Sequence, residues 1–393
     1  MPKRKTMIRK CLAIAAVLVA ILVPAIASAQ KAAPSFETKA TQALLIEAST
    51  GTILLAKDEE KPIAPASLAK LMTMEVVFDA LRRREIGLDT TYTVSEYAWR
   101  TGGAPSGTST MFAALKSTIR VEDLIRGVTV QMANDGCIIL AEGMAGSEQK
   151  FAERMTERAR ALGLKDSRFA NSTGLPDPGN QTTIRDMVAL ARHLQQAYPD
   201  FYRYFSLAEF EWNKIFQRNR NPMLALNIGA DGLATGYSKE DGYSVVTSVE
   251  RNGRRLFLAM SGLASDRERR EEAVRVLQWG LDSFDMKTLF KTGESIGAAS
   301  VYGGAQGNVD LIATTPVDVF VPVINPERLS ARIVYRWPLR APVRAGQDVG
   351  VLRIFAGERL LREVPLQTAS SVGVGTLRQK ATDALLELMF FWL

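Results

Sequence analysis

Histidine occurs once in the 393 residues and cysteine twice. That scarcity excludes a site built from several histidine ligands around a metal. A histidine-centred triad would have to use His193, which lies inside the helical pattern "DMVALARHLQQ". Long apolar runs are also scarce. The sixteen-residue run "CLAIAAVLVAILVPAI" is short for a membrane span of ~20 residues, and Pro24 interrupts it. With basic "MPKRKTMIRK" before it and Ala27-Ser28-Ala29 after it, it reads as a secretory signal peptide over residues 1–29. Cys11 goes with that leader, so Cys137 stands alone, no intramolecular disulfide forms, and the remaining thiol reads as a small buried hydrophobe. The leader also holds Lys3, Arg4, Lys5, Arg9 and Lys10 with no acid, and removing it takes the net charge from +7 to +2. The basic balance is therefore no argument for a nucleic-acid partner.

What is present has a mixed texture. "ALLIEASTGTILLAKD" reads as a β-hairpin around Ser49-Thr50-Gly51, and helical patterns follow from Ser67 to Leu81 and from Val121 to about Gly143. Helical periodicity continues in "SEQKFAERMTERARALGL" and "TTIRDMVALARHLQQAYP". "YSVVTSVERNGRRLFLAMSGL" returns to strand pattern as a second hairpin around Asn252-Gly253, and "EEAVRVLQWGLDSF" closes an α/β domain over 30–284. Residues 285–366 are short β-branched runs broken by Gly and Pro, the pattern of a small β-sandwich. "QTASSVGVG", 367–375, reads as a small-residue linker. Residues 376–393 put Leu377, Ala381, Ala384, Leu385, Leu388 and Trp392 on one helical face and end in Met-Phe-Phe-Trp-Leu, which suits the plane of a membrane interface.

In an exported chain almost without histidine, nucleophilic catalysis points to serine activated by lysine, one helical turn apart in Ser-x-x-Lys. The spacing occurs at Ser28/Lys31, Ser67/Lys70 and Ser147/Lys150. Ser28 falls at the cleavage site and Ser147 opens a charged helix. Ser67, after Pro65 in "APASLAKLMTMEVVFDAL", opens a strongly apolar one. A serine there can use its own N–H and the helix N-terminus to stabilise an oxyanion. Burial of Lys70 would lower its pKa toward that of a general base. On this stretch alone, an N-cap serine with a snorkelling lysine is the stronger reading.

Order and context add to it. Ser-x-x-Lys, a Ser-x-Asn or Ser-Asp-Asn box and Lys-Thr-Gly together mark penicillin-binding proteins and class A β-lactamases. In "APASLAKLMT", "VEDLIRGVTVQMANDGCIILAE", "FANSTGLPDPGNQTTIRDM", "YFSLAEFEWNKIFQRNRNPML" and "DGLATGYSKEDGYSVV" the chain resembles the serine-type D-alanyl-D-alanine carboxypeptidases, the low-molecular-mass penicillin-binding proteins, along nearly its whole length. The resemblance makes Ser67 the acylated residue and Lys70 its base. It places the second box on Met132-Ala133-Asn134, with Asn134 at the substrate-contacting position and Met132 where serine is expected. The third box falls on Ala234-Thr235-Gly236, with Ala234 where lysine is expected. Tyr237 would supply a second oxyanion N–H, and Arg269, with Arg267 as neighbour, would hold the substrate carboxylate. A literal Lys-Thr-Gly at Lys291-Thr292-Gly293 lies past the helix that closes the domain and is no part of the site.

The resemblance implies a penicillin-binding protein/β-lactamase-like α/β transpeptidase domain followed by a small all-β domain. It implies a peptidoglycan peptide ending in D-Ala-D-Ala as substrate, β-lactams as covalent ligands, no metal or cofactor, no nucleic acid, and a periplasmic place on the outer face of the inner membrane. Methionine relays no proton and alanine carries no charge. The competing reading is therefore a family member that keeps the cleft for binding or scaffolding with little turnover. A β-lactamase is disfavoured by the extra β domain and the membrane-seeking tail.

Overall fold

The run "QALLIE" forms β1 (Gln42–Glu47), whose residues are all buried, and the chain turns back into β2 (Ile53–Lys57). The computed structural model describes residues 36–324 and 328–390, with side chains from 385 onward left aside; the leader expected over 1–29 lies outside the described residues. After β2 a 3-10 turn at Ala66–Leu68 feeds α1 (Ala69–Arg82). Every α1 residue from Ala69 to Leu81 is buried, so this helix threads the centre of the domain rather than lying on its surface.

Around it stand β3 (Thr91–Thr93), α2 (Glu96–Thr101), β4 (Thr118–Arg120), α3 (Val121–Gln131), α4 (Asn134–Ala145), α5 (Glu148–Ala161), α6 (Ile184–Ala197) and the short α7 (Pro199–Tyr202). A hairpin, β5 (Glu209–Trp212) and β6 (Ile215–Arg218), precedes β7 (Ala230–Ser238), β8 (Gly242–Arg251), β9 (Arg254–Leu263) and the closing α8 (Asp266–Asp282). The main sheet has the order β2-β1-β9-β8-β7, antiparallel at every pairing. Its edge strand β7 is the one that borders α1's entry turn. Ser147 accepts from the backbone N–H of Lys150 at 3.3 Å as the N-cap of α5, which accounts for that Ser-x-x-Lys match structurally.

The helical pattern expected from Val121 to Gly143 is two helices. Met132 takes a left-handed backbone (φ 57°) and Ala133 an extended one. The N–H of Asn134 then leaves the helix ladder for the carbonyl of Ser109 at 2.7 Å. Both helices bury apolar faces, so periodicity runs through the break without registering it.

The second domain comprises β10 (Phe284–Phe290), β11 (Ser295–Tyr302), β12 (Asn308–Ile312), β13 (Val317–Pro322), β14 (Leu329–Tyr335), β15 (Leu339–Arg340), β16 (Asp348–Ala356) and β17 (Arg359–Thr368). A sheet ordered β14-β16-β17-β12-β11-β15 and the pair β10-β13 enclose a separate core that includes Leu311, Val319, Ile354 and Leu366. Arg359 donates to the Leu54 carbonyl at 2.7 Å, and the N–H of Phe320 donates to Thr52 Oγ1 at 3.3 Å, joining one end of this domain to β2. The segment read as a linker is not free. Ala369 N–H donates to the Asp310 carbonyl, Val372 bridges to Val343, and Gly375 N–H donates to the Gly303 carbonyl. A Cβ on Gly375 would stand 2.4 Å from the Gly304 carbonyl oxygen, and α9 (Leu377–Phe390) starts from this pinned strap. No helix among the described residues is long and apolar enough to cross a membrane.

A part-buried ion pair joins α1 to α5: Arg158 Nε, on a half-buried side chain, donates to Glu75 Oε1 at 2.9 Å, and the Glu75 side chain is fully buried. Arg158→Met leaves that carboxylate with the Tyr198 hydroxyl and, when protonated, His193 as its neighbours. We expect a loss of about 3 kcal/mol in urea unfolding; a loss below about 1 kcal/mol would show that the pair does not hold the helices together.

Candidate active site

Three elements converge on the start of α1. Ser67 lies in the 3-10 turn after Ala66, whose φ of 46° is left-handed for a residue with a side chain. Such a conformation costs about 1–2 kcal/mol and persists where the surroundings impose it. Here the imposing group is Gly174 (φ 75°): a Cβ on it would stand 1.7 Å from the Ala66 carbonyl oxygen.

Lys70 follows one turn later and is only 2 % exposed. Its Nζ lies 3.1 Å from Ser67 Oγ and donates to the Thr173 carbonyl at 2.6 Å. Burial lowers its pKa from 10.5 to about 8, against the opposing pull of the Glu148 carboxylate. Cys137 is itself pushed up to about 12 by burial, so near neutrality it is an uncharged thiol, as its sequence context implied. With one N–H spent on the Thr173 carbonyl, a neutral Lys70 can turn its lone pair to the hydroxyl of Ser67.

The loop bearing Thr173 is fixed from both sides. Thr73, on the next turn of α1, donates to the Ser172 carbonyl at 2.6 Å. Glu148, the first residue of α5, accepts from Ser172 N–H at 3.0 Å and from its hydroxyl at 2.6 Å, while Tyr97 donates to the same carboxylate at 2.8 Å. Sequence reasoning gave none of these residues a role, because each acts through a partner distant along the chain.

The second wall is the break between α3 and α4. Asn134 is 4 % exposed; its Nδ2 donates to Thr108 Oγ1 at 2.9 Å and its buried Oδ1 has no partner among the described residues. Next to it, the fully buried Asp135 accepts from Thr110 Oγ1 and from the N–H groups of Met111 and Ala113, which seats the 110–113 loop beside Asn134. Burial raises the pKa of Asp135, and these hydrogen bonds oppose the rise.

The third wall is β7. A Cβ at Gly236 would lie 3.4 Å from Leu68 Cγ and 3.5 Å from Ala66 Cβ, so the strand passes directly against the turn that carries Ser67. A side chain there would meet the Ser244 hydroxyl at 2.6 Å on the neighbouring strand, which glycine avoids. Gly232, two residues before Ala234 on the same face, approaches Phe205 and Tyr202 in the same way. Ala234 between them is 1 % exposed and Met132 is 5 % exposed, and both belong to the main apolar core. Thr235 is nearly buried, whereas Tyr237 is exposed with its ring 4.7 Å from that of Tyr243.

Arg269, near the start of α8, has its guanidinium 5.8 Å from the centre of the Tyr243 ring, bonds Asp266, and keeps its buried Nε without a partner among the described residues. Burial lowers its pKa. Arg267 instead projects into solvent and pairs with Glu271 at 3.3 Å. The aromatic pair therefore links Arg269, not Arg267, to the end of β7. Lys291 lies in the second domain, in the turn after β10. His193 sits half-buried on α6 with its Nε2 3.3 Å from Glu75, beside the Arg158–Glu75 ion pair.

This arrangement, a serine and a buried lysine at a helix start with an asparagine wall and a glycine-containing edge strand, matches a known family. The family profile for D-alanyl-D-alanine carboxypeptidase covers residues 27–263, and that for the C-terminal domain of penicillin-binding protein 5 covers 284–374. The chain belongs to the S11 peptidase family of D-alanyl-D-alanine carboxypeptidases. It is 33% identical over 343 residues to the D-alanyl-D-alanine carboxypeptidase DacD of Escherichia coli, covering 86% of this chain and 88% of that one. It is 33% identical over 363 residues to DacC of the same organism, covering 92% and 90%. Penicillin-binding protein 5 from Haemophilus influenzae superposes with a TM-score of 0.73 at 31% identity, over 87% of this chain and 99% of that one. The fold is thus the penicillin-binding α/β domain followed by an all-β domain, as the sequence implied.

Gly174→Ala tests the apposition on which the site rests. The added methyl must displace the Ala66 carbonyl, and we expect roughly 1–3 kcal/mol lost in thermal unfolding together with loss of covalent labelling by a fluorescent penicillin. Unchanged labelling would show that the Gly174 loop does not position Ser67.

Proposed function

We propose that the protein is a serine-type D-Ala-D-Ala carboxypeptidase acting on peptidoglycan stem peptides, with Ser67 as nucleophile, Lys70 as base and slow turnover. The observation that carries this is the 3.1 Å contact between Ser67 Oγ and a lysine held 2 % exposed. Ser67 Oγ attacks the carbonyl of the penultimate D-alanine while its proton passes to Lys70 Nζ. The oxyanion faces the N–H of Ser67 and that of Tyr237. The C–N bond then breaks, terminal D-alanine leaves with a proton on its nitrogen, and water hydrolyses the ester at Ser67. Asn134 Oδ1, a buried acceptor without a partner, suits a substrate amide N–H, and Arg269 suits the terminal carboxylate. β-Lactams would acylate the same serine.

Two side chains of the family pattern are missing. No hydroxyl stands at Met132 to relay the proton toward the departing amine, so Lys70 must return it unaided. No charge stands at Ala234 to depress the pKa of Lys70 or draw in the carboxylate. Each such loss typically costs ~10² to 10³ in rate, without strict additivity. The burial of both replacements in apolar core also favours a second reading, a cleft kept for binding or scaffolding with no turnover. A signal peptide over 1–29 and interfacial docking of α9 would place the domain in the periplasm, on the outer face of the inner membrane.

Release of D-alanine from a D-Ala-D-Ala peptide, compared with Ser67→Ala, separates the two. The enzyme reading expects slow release that Ser67→Ala abolishes, and release raised by about 10²-fold in Met132→Ser/Ala234→Lys. Absence of release in the wild type and in the double variant would leave the binding reading. The pH profile adds a second check. Only neutral Lys70 accepts a proton, and its pKa is lowered to about 8, so acylation should climb with pH and level off above 8. A lysine at 234 adds a like charge and should move that midpoint to lower pH. A rate flat from pH 6 to 10 would exclude Lys70 as base.

A further inference from the structure

The end of the β domain away from the catalytic domain carries a feature that the proposed reaction does not use. The β16–β17 turn lies near β2 through Arg359, and β14 begins beside it, with Leu329 opposite Ala356. β14 then runs about 20 Å away from that junction to Tyr335, opposite Gly350. Beyond it comes "RWPLR", Arg336–Arg340, in which Trp337 is 61% exposed. An indole this open to water is an exception to how tryptophan is placed in folded proteins.

The same end is where α9 begins. Leu339 and Arg340 pair with Val301 and Tyr302 on β11, and Ala341 N–H donates to the Tyr302 carbonyl. The next residue along, Gly303, accepts from Gly375 N–H and donates its own N–H to Asp383 of α9 at 2.8 Å. Val343 and Val372 bridge the two segments again. The Trp337 loop and the root of α9 are therefore neighbours on one face. Arg336, Arg340 and Arg344 are exposed there, and no ion pair among the described residues engages them. On α9, Leu377 is 86% exposed and Arg378 is exposed beside it.

We propose that the Trp337 loop is a second membrane contact, in which the indole enters the headgroup layer of an anionic phospholipid bilayer and Arg336, Arg340 and Arg344 face the lipid phosphates. The charge is complementary, the aromatic ring suits the interface rather than the hydrocarbon, and the surface is continuous with the helix already read as interfacial. Two contacts on one end would fix the tilt of the β domain, and with it the height of the cleft above the membrane, which a single contact through α9 would leave undetermined. The inference rests on the interfacial reading of α9.

The test is partition of the full-length protein onto vesicles of phosphatidylglycerol and phosphatidylcholine, alongside Trp337→Ala, Arg336→Glu/Arg340→Glu, and a chain ending at residue 375. Penicillin labelling reports that each variant is folded. We expect the charge-reversed pair to partition about tenfold or more weakly, with the defect fading in high salt, and Trp337→Ala to bind several-fold more weakly. Brominated lipids should quench a fluorescence component present in the wild type and missing from Trp337→Phe. If the loop variants bind like the wild type while the truncated chain does not, the loop proposal falls and the α9 reading stands. If truncation leaves binding intact, the α9 reading falls, and the loop proposal with it unless the Trp337 and arginine variants abolish what remains. Absence of vesicle binding by the intact chain overturns both, and a dimer lost on Trp337→Ala would assign the surface to a second copy of the chain.

Discussion

A buried amine without a counter-ion in contact is the constraint around which the catalytic domain is arranged. Lys70 occupies the interior of α1 among Leu68, Leu71 and Met72, and water cannot solvate it there. Its hydrogen bonds go to one hydroxyl and one backbone carbonyl. The Ser172–Thr173 loop must therefore stay in place, which explains the bonds from Thr73 and to Glu148 that hold it. Gly174 follows because the same loop has to pass the Ala66 carbonyl without a side chain. A chain of contacts thus runs from the solvation of one amine to the strained backbone that presents Ser67.

The two departures from the family pattern are coherent with each other. The family pattern places serine and lysine, two polar side chains, at the second and third boxes. Here both positions are buried and apolar, Met132 closing α3 and Ala234 set between two glycines on β7. Neither replacement carries a polar group that burial would leave unpaired, so both positions are accommodated by apolar packing. A lysine introduced at 234 would enter the apolar core to which Ala234 belongs.

Much of this was legible along the chain, for reasons that differ by residue. Ser67 and Lys70 are one helical turn apart, so their meeting is a local fact that spacing can express. The hairpin at Asn252-Gly253 was readable because both residues have positive φ, as a two-residue turn requires. The break at Met132 was not, since apolar residues continue on both sides of it and its cause is the Ser109 carbonyl. Glu148 gave no signal because its partner Ser172 is far away in sequence. The strap at 369–375 misled, because a stretch of small residues reads the same whether it is free or laid on a sheet. Its pairing with Val343 and Asp310 is tertiary.

The central claim is that Ser67, held against a buried Lys70, is an acylable nucleophile despite Met132 and Ala234. Intact-mass spectrometry after incubation with benzylpenicillin, followed by peptide mapping, measures it directly. The account predicts a single adduct of one drug mass on the peptide containing Ser67, and none on Ser67→Ala. An unmodified wild-type protein after prolonged incubation, or an adduct that persists in Ser67→Ala, would contradict it.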